Sequence, residues 1–375
     1  MKNLTISLLA FNILMSTTAM AADLEANVTS GYDDNPYLLS DTFLPQSALF
    51  IGSDIKLRHR FDSGFGVSGD WDQLIYEGKS KDANRRTLSG GIDFRKRGTL
   101  MGTDVRYRTG VNFTDYDKTY ISRSTGLVGK IGANQLGDRY DASWGDVDAG
   151  IEFRFSKKFR LDISANGRDR KYHDYSAVGA SNLDFRQWGS RAKITFKPTS
   201  KNEFTASYTY RDRKFDDRRG RLLDSSLVAG SNLKYKYNIV EATWTYDISK
   251  KQDLRAAAYI ENRSDNVTGF YNTTWQRYSI SYTNEVSERQ KLEMNITYRD
   301  YKYDNNDVIG AIEGQEPINS KKGFAYELSY GYLLSKLDHM NLWLVANGSY
   351  EDYNSVNVNY IYKQAVARLG IQLDF

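Results

Sequence analysis

Period-two alternation, sustained from one end of the chain to the other, constrains this sequence more than any other feature. Over residues 187–196, Trp188, Ser190, Ala192, Ile194 and Phe196 share one parity, and Gln187, Gly189, Arg191, Lys193 and Thr195 share the other. A Pro-Thr-Ser-Lys turn at 198–201 follows, and then Phe204, Ala206, Tyr208 and Tyr210 stand against Thr205, Ser207, Thr209 and Arg211. Successive side chains of a strand point to opposite faces, so each run is a ribbon with an apolar side and a polar or charged side. The same texture recurs over 51–58, 104–113, 159–166, 277–284, 292–299 and 326–332, and no stretch carries a helical period.

The pattern predicts about 16 strands. Their spans are 23–32, 46–61, 65–77, 86–96, 99–114, 142–155, 159–169, 183–197, 202–212, 233–247, 253–263, 272–286, 291–301, 323–335, 339–351 and 358–375. Their connections alternate in length. Short turns, such as those near Asp62 and Gly98 and at 156–158, 198–201 and 287–290, follow even-numbered strands. Long connections, of which 115–141 is the longest, follow odd-numbered ones. A soluble sandwich gives no reason for that rhythm. A transmembrane antiparallel β-barrel does: it has an even strand count, short periplasmic turns and long extracellular loops. Closure is obligatory, because backbone groups facing hydrocarbon must pair within the barrel. The burst of charge at 211–221 then reads as an exposed outer loop solvated by water and lipopolysaccharide.

The N-terminus fits export. Lys2, an apolar stretch over 4–15 and an Ala19-Met20-Ala21 site predict a signal peptide over 1–21 and one barrel domain over 22–375. The apolar stretch is short of the about 20 residues a spanning helix needs. There is no cysteine, so an exported fold rests on packing and closure. The net charge of +4 falls to +3 when the single lysine of 1–21 is lost, which is too mild for a nucleic-acid binder.

Catalytic and metal chemistry find little support. The three histidines are His59 near the periplasmic rim, His173 in an outer loop and His339 in a periplasmic turn, and they do not converge. No catalytic residue, metal ligand set or cofactor is expected. The acidic pieces at 33–35 and 304–307 lack a full calcium-loop spacing and read as solvated turns.

The lumen parity is more informative. It assigns Arg58, Arg106, Arg108, Arg191, Lys193, Arg255, Arg277, Arg299, Arg368 and Trp343 to the pore lining, among carboxylates such as Asp54, Asp162, Glu241 and Glu327. Two readings stand: a salt-bridged wall that only solvates water, or a charged wall that selects solutes with a lean toward anions. Trp343 and Tyr259 either stack on sugar rings or fill space. Tyr76, Trp144, Tyr246, Tyr282 and Tyr350, near strand ends, read as interfacial girdles. In the loop 115–141, Ile121, Leu127, Val128, Ile131 and Leu136 are scattered among glycines. That composition suits a constriction folded into the lumen, presenting Lys118, Arg123 and Lys130, or a lid packed on neighbouring loops.

Three passages carry a family resemblance. They are SGYDDNPY at 30–37, RQWGSRAKITFKPTSKNEFTASYTYRDRKFDD at 186–217, and the closing alternating strand that ends in Phe375. Together they resemble the β-barrel porin 2 family, with similar texture over nearly the whole mature chain. The resemblance implies a barrel in the outer membrane of a Gram-negative bacterium, linked to exopolysaccharide export. It implies outer-membrane lipid, lipopolysaccharide, the barrel-insertion machinery, polysaccharide and export-system proteins as partners, and no catalytic residues. Gly370, Leu373 and Phe375 are similar in spacing to the terminal-strand signal that the insertion machinery reads. Passage of hydrophilic solute or polymer is the expected function. The alternative is a non-conducting surface barrel acting through its loops as an adhesin or assembly partner.

Overall fold

The computed structural model describes residues 23–40, 46–122, 126–131, 134–173, 183–305, 320–337, 340–355 and 358–375. The predicted signal peptide lies outside them. The strands are β1 (Asp23–Asp33), β2 (Ala48–Arg60), β3 (Phe65–Tyr76), β4 (Arg85–Leu100), β5 (Thr103–Lys118), β6 (Lys130–Ile131), β7 (Asn134–Gln135), β8 (Ala142–Arg154) and β9 (Phe159–Tyr172). They continue with β10 (Phe185–Phe196), β11 (Asn202–Phe215), β12 (Lys234–Ser249), β13 (Gln252–Asp265), β14 (Thr273–Ser287), β15 (Gln290–Tyr303), β16 (Lys321–Leu337), β17 (Met340–Ser355) and β18 (Tyr362–Asp374). All but β6 and β7 close into one antiparallel barrel of sixteen strands, with β5 pairing β8 directly and β1 pairing β18. β6 and β7 form a small hairpin inside the long loop between β5 and β8.

The seam pairs Glu25 with Asp374 through Asp33 with Val366. Phe375 adds the last rung, its N–H donating to the Leu24 carbonyl at 2.8 Å. Closure therefore leaves no strand edge, as hydrocarbon demands. The outward parity is apolar and open: Val28, Ile92, Val111, Phe113, Trp188 and Ile280 are each more than half exposed. Such a band is stable only against lipid. Outward aromatics stack in rows, Phe204–Trp244–Tyr246 toward the short-turn rim and Phe324–Tyr326–Tyr350 toward the long-loop rim. Tyr246 and Tyr350 thus take girdle positions.

Three expectations need correction. Tyr76 and Trp144 lie on the inner face: the Tyr76 hydroxyl donates to Asp33 Oδ2 at 2.9 Å, and Arg168 and Arg170 stack over Trp144. Position near a strand end does not set the face; parity does. The β4–β5 hairpin turns at Met101 and Gly102, with φ of 50° and 76°, and not near Gly98. A two-residue turn with both φ positive matches the twist of its strands, so β4 and β5 run several residues beyond the predicted turn. Finally, Asp33 and Asn35 are not solvated, each being 1% exposed. Asp33 accepts from Tyr76, from Gln364 Nε2 and from the Asn35 N–H, while Asn35 Nδ2 donates to the Leu39 and Lys363 carbonyls. This network ties β1, β3 and β18 together at the outer end of the seam.

Candidate functional site

The inner face follows from the outward one, since alternate residues point inward. Every lumen-parity cation expected from the sequence lies on it. Three of them are locked in ion pairs. Arg108 forms a two-pronged pair with the buried Asp162, its Nη2 donating to Oδ1 at 2.7 Å and its Nη1 to Oδ2. Arg191 Nη2 reaches Glu241 Oε2 at 3.0 Å, and Ser207 shares that oxygen. Arg299 Nη1 lies 3.6 Å from Glu351 Oε1. Arg60 with Asp93, also on the lumen parity, reinforces the pattern, as do two pairs not singled out by sequence, Arg154 with Glu152 and Arg168 with Asp146. Arg277 stacks over Tyr259 at 5.1 Å, and Arg368 over Phe50 at 5.5 Å. Arg58, Arg106, Lys193 and Arg255 share the inner parity but make no ion pair among the described residues.

Trp343 lies inward but is only 7% exposed, packed with Leu333 and Val345 beneath the Lys291 ammonium. Its ring is filler and offers no stacking face. Tyr259 is likewise engaged, with Trp275 at 4.9 Å and its hydroxyl bonded to Glu261 at 2.5 Å.

The long-loop rim is built differently. Tyr120 N–H donates to the Gly137 carbonyl and Gly129 N–H to the Tyr120 carbonyl, so the loop after β5 folds back on itself. Thr119, Tyr120 and Ile121 line a cavity of about 560 Å³ with Tyr37, Arg170, Tyr303 and Lys321. β5 and β15 are eight strands apart around a ring of sixteen, hence on opposite walls. Residues reached from both sides thus meet in one space at the mouth. Lys118 lines that cavity, and its N–H donates to Asp141 Oδ1 at 2.7 Å. Lys130, in β6, is exposed, and Arg123 lies outside the described residues. Of the scattered apolar residues, Leu136 is buried and Leu127 is 65% exposed.

Charge at this rim is strained by burial. Desolvation, reinforced by Asp117 and Asp138, pushes the Asp141 carboxyl up to about 6, against the Lys118 N–H and the His173 ring that favour its charge. Burial and the nearby Asp82 likewise raise the Tyr37 phenol. The exposed Asp224 shows the opposite: the hydroxyl and N–H of Ser226 hold its carboxyl below the usual range.

The strongest feature of the rim was not expected. The segment at 211–221 is not simply a solvated loop. Arg213 stacks over Phe185 at 4.2 Å, Arg218 over Tyr271 at 5.0 Å, and Arg221 over Phe270 at 6.0 Å. Arg263 lies over Tyr235 at 4.6 Å. Beneath them sits the largest buried apolar cluster among the described residues, built from Phe185, Phe215, Leu233, Tyr235, Tyr237, Ile239, Phe270 and Tyr271. The sequence signal was the inward parity of Arg211, Arg213 and Phe215, which continues the β11 alternation three steps past Thr209.

His59 and His173 lie at opposite ends of the barrel, and His339 falls outside the described residues. No group of three or more metal-capable side chains occurs among the described residues. Of the acidic piece at 304–307, only Asp304 and Asn305 are described; Asp304 accepts from Thr274 and Asn305 donates to the Gly269 carbonyl.

Closed antiparallel sheet, apolar exterior and charged interior define a sixteen-strand transmembrane β-barrel. No protein-family model and no curated protein sequence matches the chain. Among solved structures it is similar to an anion-selective porin from Comamonas acidovorans, with 11% identity over 95% of this chain and 99% of that one, at a TM-score of 0.45. It is similar to OpdQ of Pseudomonas aeruginosa at 10% identity, over 95% and 99% of the two chains, with a TM-score of 0.44. In-vitro folded OmpT, an outer membrane protein of Vibrio cholerae, shows 10% identity over 94% and 97%, with a TM-score of 0.43. Likeness at this level assigns no activity to the chain. The porin 2 resemblance and its exopolysaccharide link rest on the sequence motifs alone.

Proposed function

We propose that this barrel sits in the outer membrane of a Gram-negative bacterium and passes hydrophilic solute or polymer, in the setting of exopolysaccharide export. The observation that carries the reading is the inner wall: charged side chains recur on inward parity around the whole circumference, several of them held by fixed partners. Such a wall replaces water's solvation along the barrel axis without collapsing on itself. A barrel of sixteen strands is also wider than the eight-stranded kind that side chains fill completely. The loop after β5 narrows the outer mouth, with Lys118 at the passage. Outer-membrane lipid covers the apolar band, lipopolysaccharide meets the outer loops, and the insertion machinery reads the strand ending in Gly370, Leu373 and Phe375. Polysaccharide and export-system proteins are the proposed functional partners.

Swelling of proteoliposomes in sugar solutions tests passage: barrels of verified insertion that admit no monosaccharide would remove the reading. Deleting the gene and measuring surface polysaccharide tests the setting, and an unchanged polysaccharide layer would remove that part alone. A non-conducting adhesin or assembly partner remains as a second reading. It draws on the aromatic cluster that occupies one side of the mouth.

A further inference from the structure

The arginine–tyrosine corner of the outer mouth encloses a separate cavity of about 240 Å³. Its lining includes Arg213, Arg218, Arg221 and Arg263, with Tyr172 and Tyr303, and no carboxylate. That composition departs from the rest of the inner wall. Elsewhere on the wall Arg60, Arg108, Arg168 and Arg191 are answered by aspartate or glutamate; here Arg213, Arg221 and Arg263 lie together and make no ion pair among the described residues. Arg213 gives its Nε and Nη2 to one neutral oxygen, Gln187 Oε1, at 3.0 and 2.9 Å. Arg263 donates Nε to the Tyr271 carbonyl at 2.9 Å and keeps a buried Nη2 with no hydrogen-bond partner. Arg221 donates to the Tyr271 hydroxyl and the Ser225 carbonyl.

Unanswered guanidinium groups packed this closely repel one another and cost desolvation. Each aromatic cushion offsets part of that cost by cation–π attraction, yet fork-shaped N–H donors remain unfilled. The complement of several such forks is an oxyanion. We propose that this cavity binds the carboxylate of an acidic sugar, taken from the extracellular side. The size admits one ring and not a chain segment. The aromatic faces are already covered by guanidinium groups, as with Arg263 over Tyr235 and Arg213 over Phe185. What the cavity offers a ligand is therefore N–H and phenolic O–H, which suits a polyhydroxy acid better than a flat aromatic one. The Tyr172 hydroxyl supplies a partner for ring hydroxyls, and the arginines take the charge. The site goes beyond the channel reading and stands whether or not the barrel conducts.

Saturation-transfer NMR on the full barrel in detergent micelles tests this with glucuronate, glucose and inorganic phosphate as probes. Glucuronate should bind, glucose should bind at least about tenfold more weakly, and phosphate should compete only weakly. Arg213→Gln and Arg263→Gln should each weaken glucuronate binding about tenfold, whereas Lys250→Gln, in an exposed periplasmic turn, should leave it unchanged. Heat-modifiable gel migration verifies that each variant is folded, and a misfolding Arg→Gln variant is replaced by Arg→Lys, which keeps the charge but loses the fork. Equal binding of glucose and glucuronate overturns the proposal. So does glucuronate binding that survives both substitutions, or phosphate binding without glucuronate binding. Barrels that bind glucuronate yet pass no solute would discard the channel reading and keep the site.

Discussion

The two halves of the inner surface treat the same residue in opposite ways. Along the wall from β2 to β9, three arginines reach carboxylates one or two strands away: Arg60 with Asp93, Arg108 with Asp162, Arg168 with Asp146. At the outer mouth between β9 and β15, Arg213 and Arg263 lie on phenyl and phenol rings and make no ion pair among the described residues. A paired guanidinium has its charge answered within the fold and so serves structure. One supported only by π-faces is held in place but still lacks an anion. The difference separates wall from site.

The sharpest way to break the comparison is stability. Arg108→Ala leaves Asp162 buried without its partner and should cost about 3 kcal/mol of unfolding free energy, partly relieved in the Arg108→Ala/Asp162→Ala double variant. Arg263→Gln removes an unpaired charge and should cost less than about 1 kcal/mol. Denaturant unfolding in lipid vesicles measures both. Equal losses would mean that the mouth arginines are structural after all.

The seam gives the next effect. Asp33→Ala strands the Tyr76 hydroxyl and the Gln364 amide inside the protein, and should cost about 2 kcal/mol. The readout is the temperature at which the barrel loses its compact gel migration. No shift would show that β1 and β18 close without this network.

The smallest effect is a pH response of the mouth. Burial lifts the Asp141 carboxyl from its ordinary 3.8 to about 6, so the folded loop favours the protonated form. Its charged form opposes loop packing at all pH values above about 6, and that opposition is relieved as pH falls from there toward 3.8. Hydroxyl-radical labelling of Tyr120 should therefore be slower at pH 5 than at pH 7.5. Asp141→Asn should label slowly at both. A pH difference that persists in Asp141→Asn would remove Asp141 as its source.

Much of this molecule can be read in the sequence because a barrel's solvent changes at every residue. Trp188, Ile194 and Phe196 face lipid and Arg191 and Lys193 face the interior by counting alone, and the sixteen strands and their alternating loops follow from that count. The errors arose where counting gives no guidance. Asp33 and Asn35 look like turn formers, but strands distant in sequence bring Tyr76 and Gln364 to them. Arg213, Arg218 and Arg221 look solvated because their charge is dense, but Phe270 and Tyr271, some fifty residues on, supply the surface that draws them in. Trp343 has the parity of a pore residue, and only packing shows that Leu333 and Val345 enclose it.

The central claim, a water-filled barrel whose mouth carries unanswered positive charge, is tested most directly by planar-bilayer recording with a salt gradient. Inserted barrels should show steady ohmic conductance with a reversal potential on the anion-selective side, shifted toward zero in Arg213→Gln/Arg263→Gln. Verified insertion with no conductance, or cation selectivity that the double substitution leaves unchanged, would contradict it.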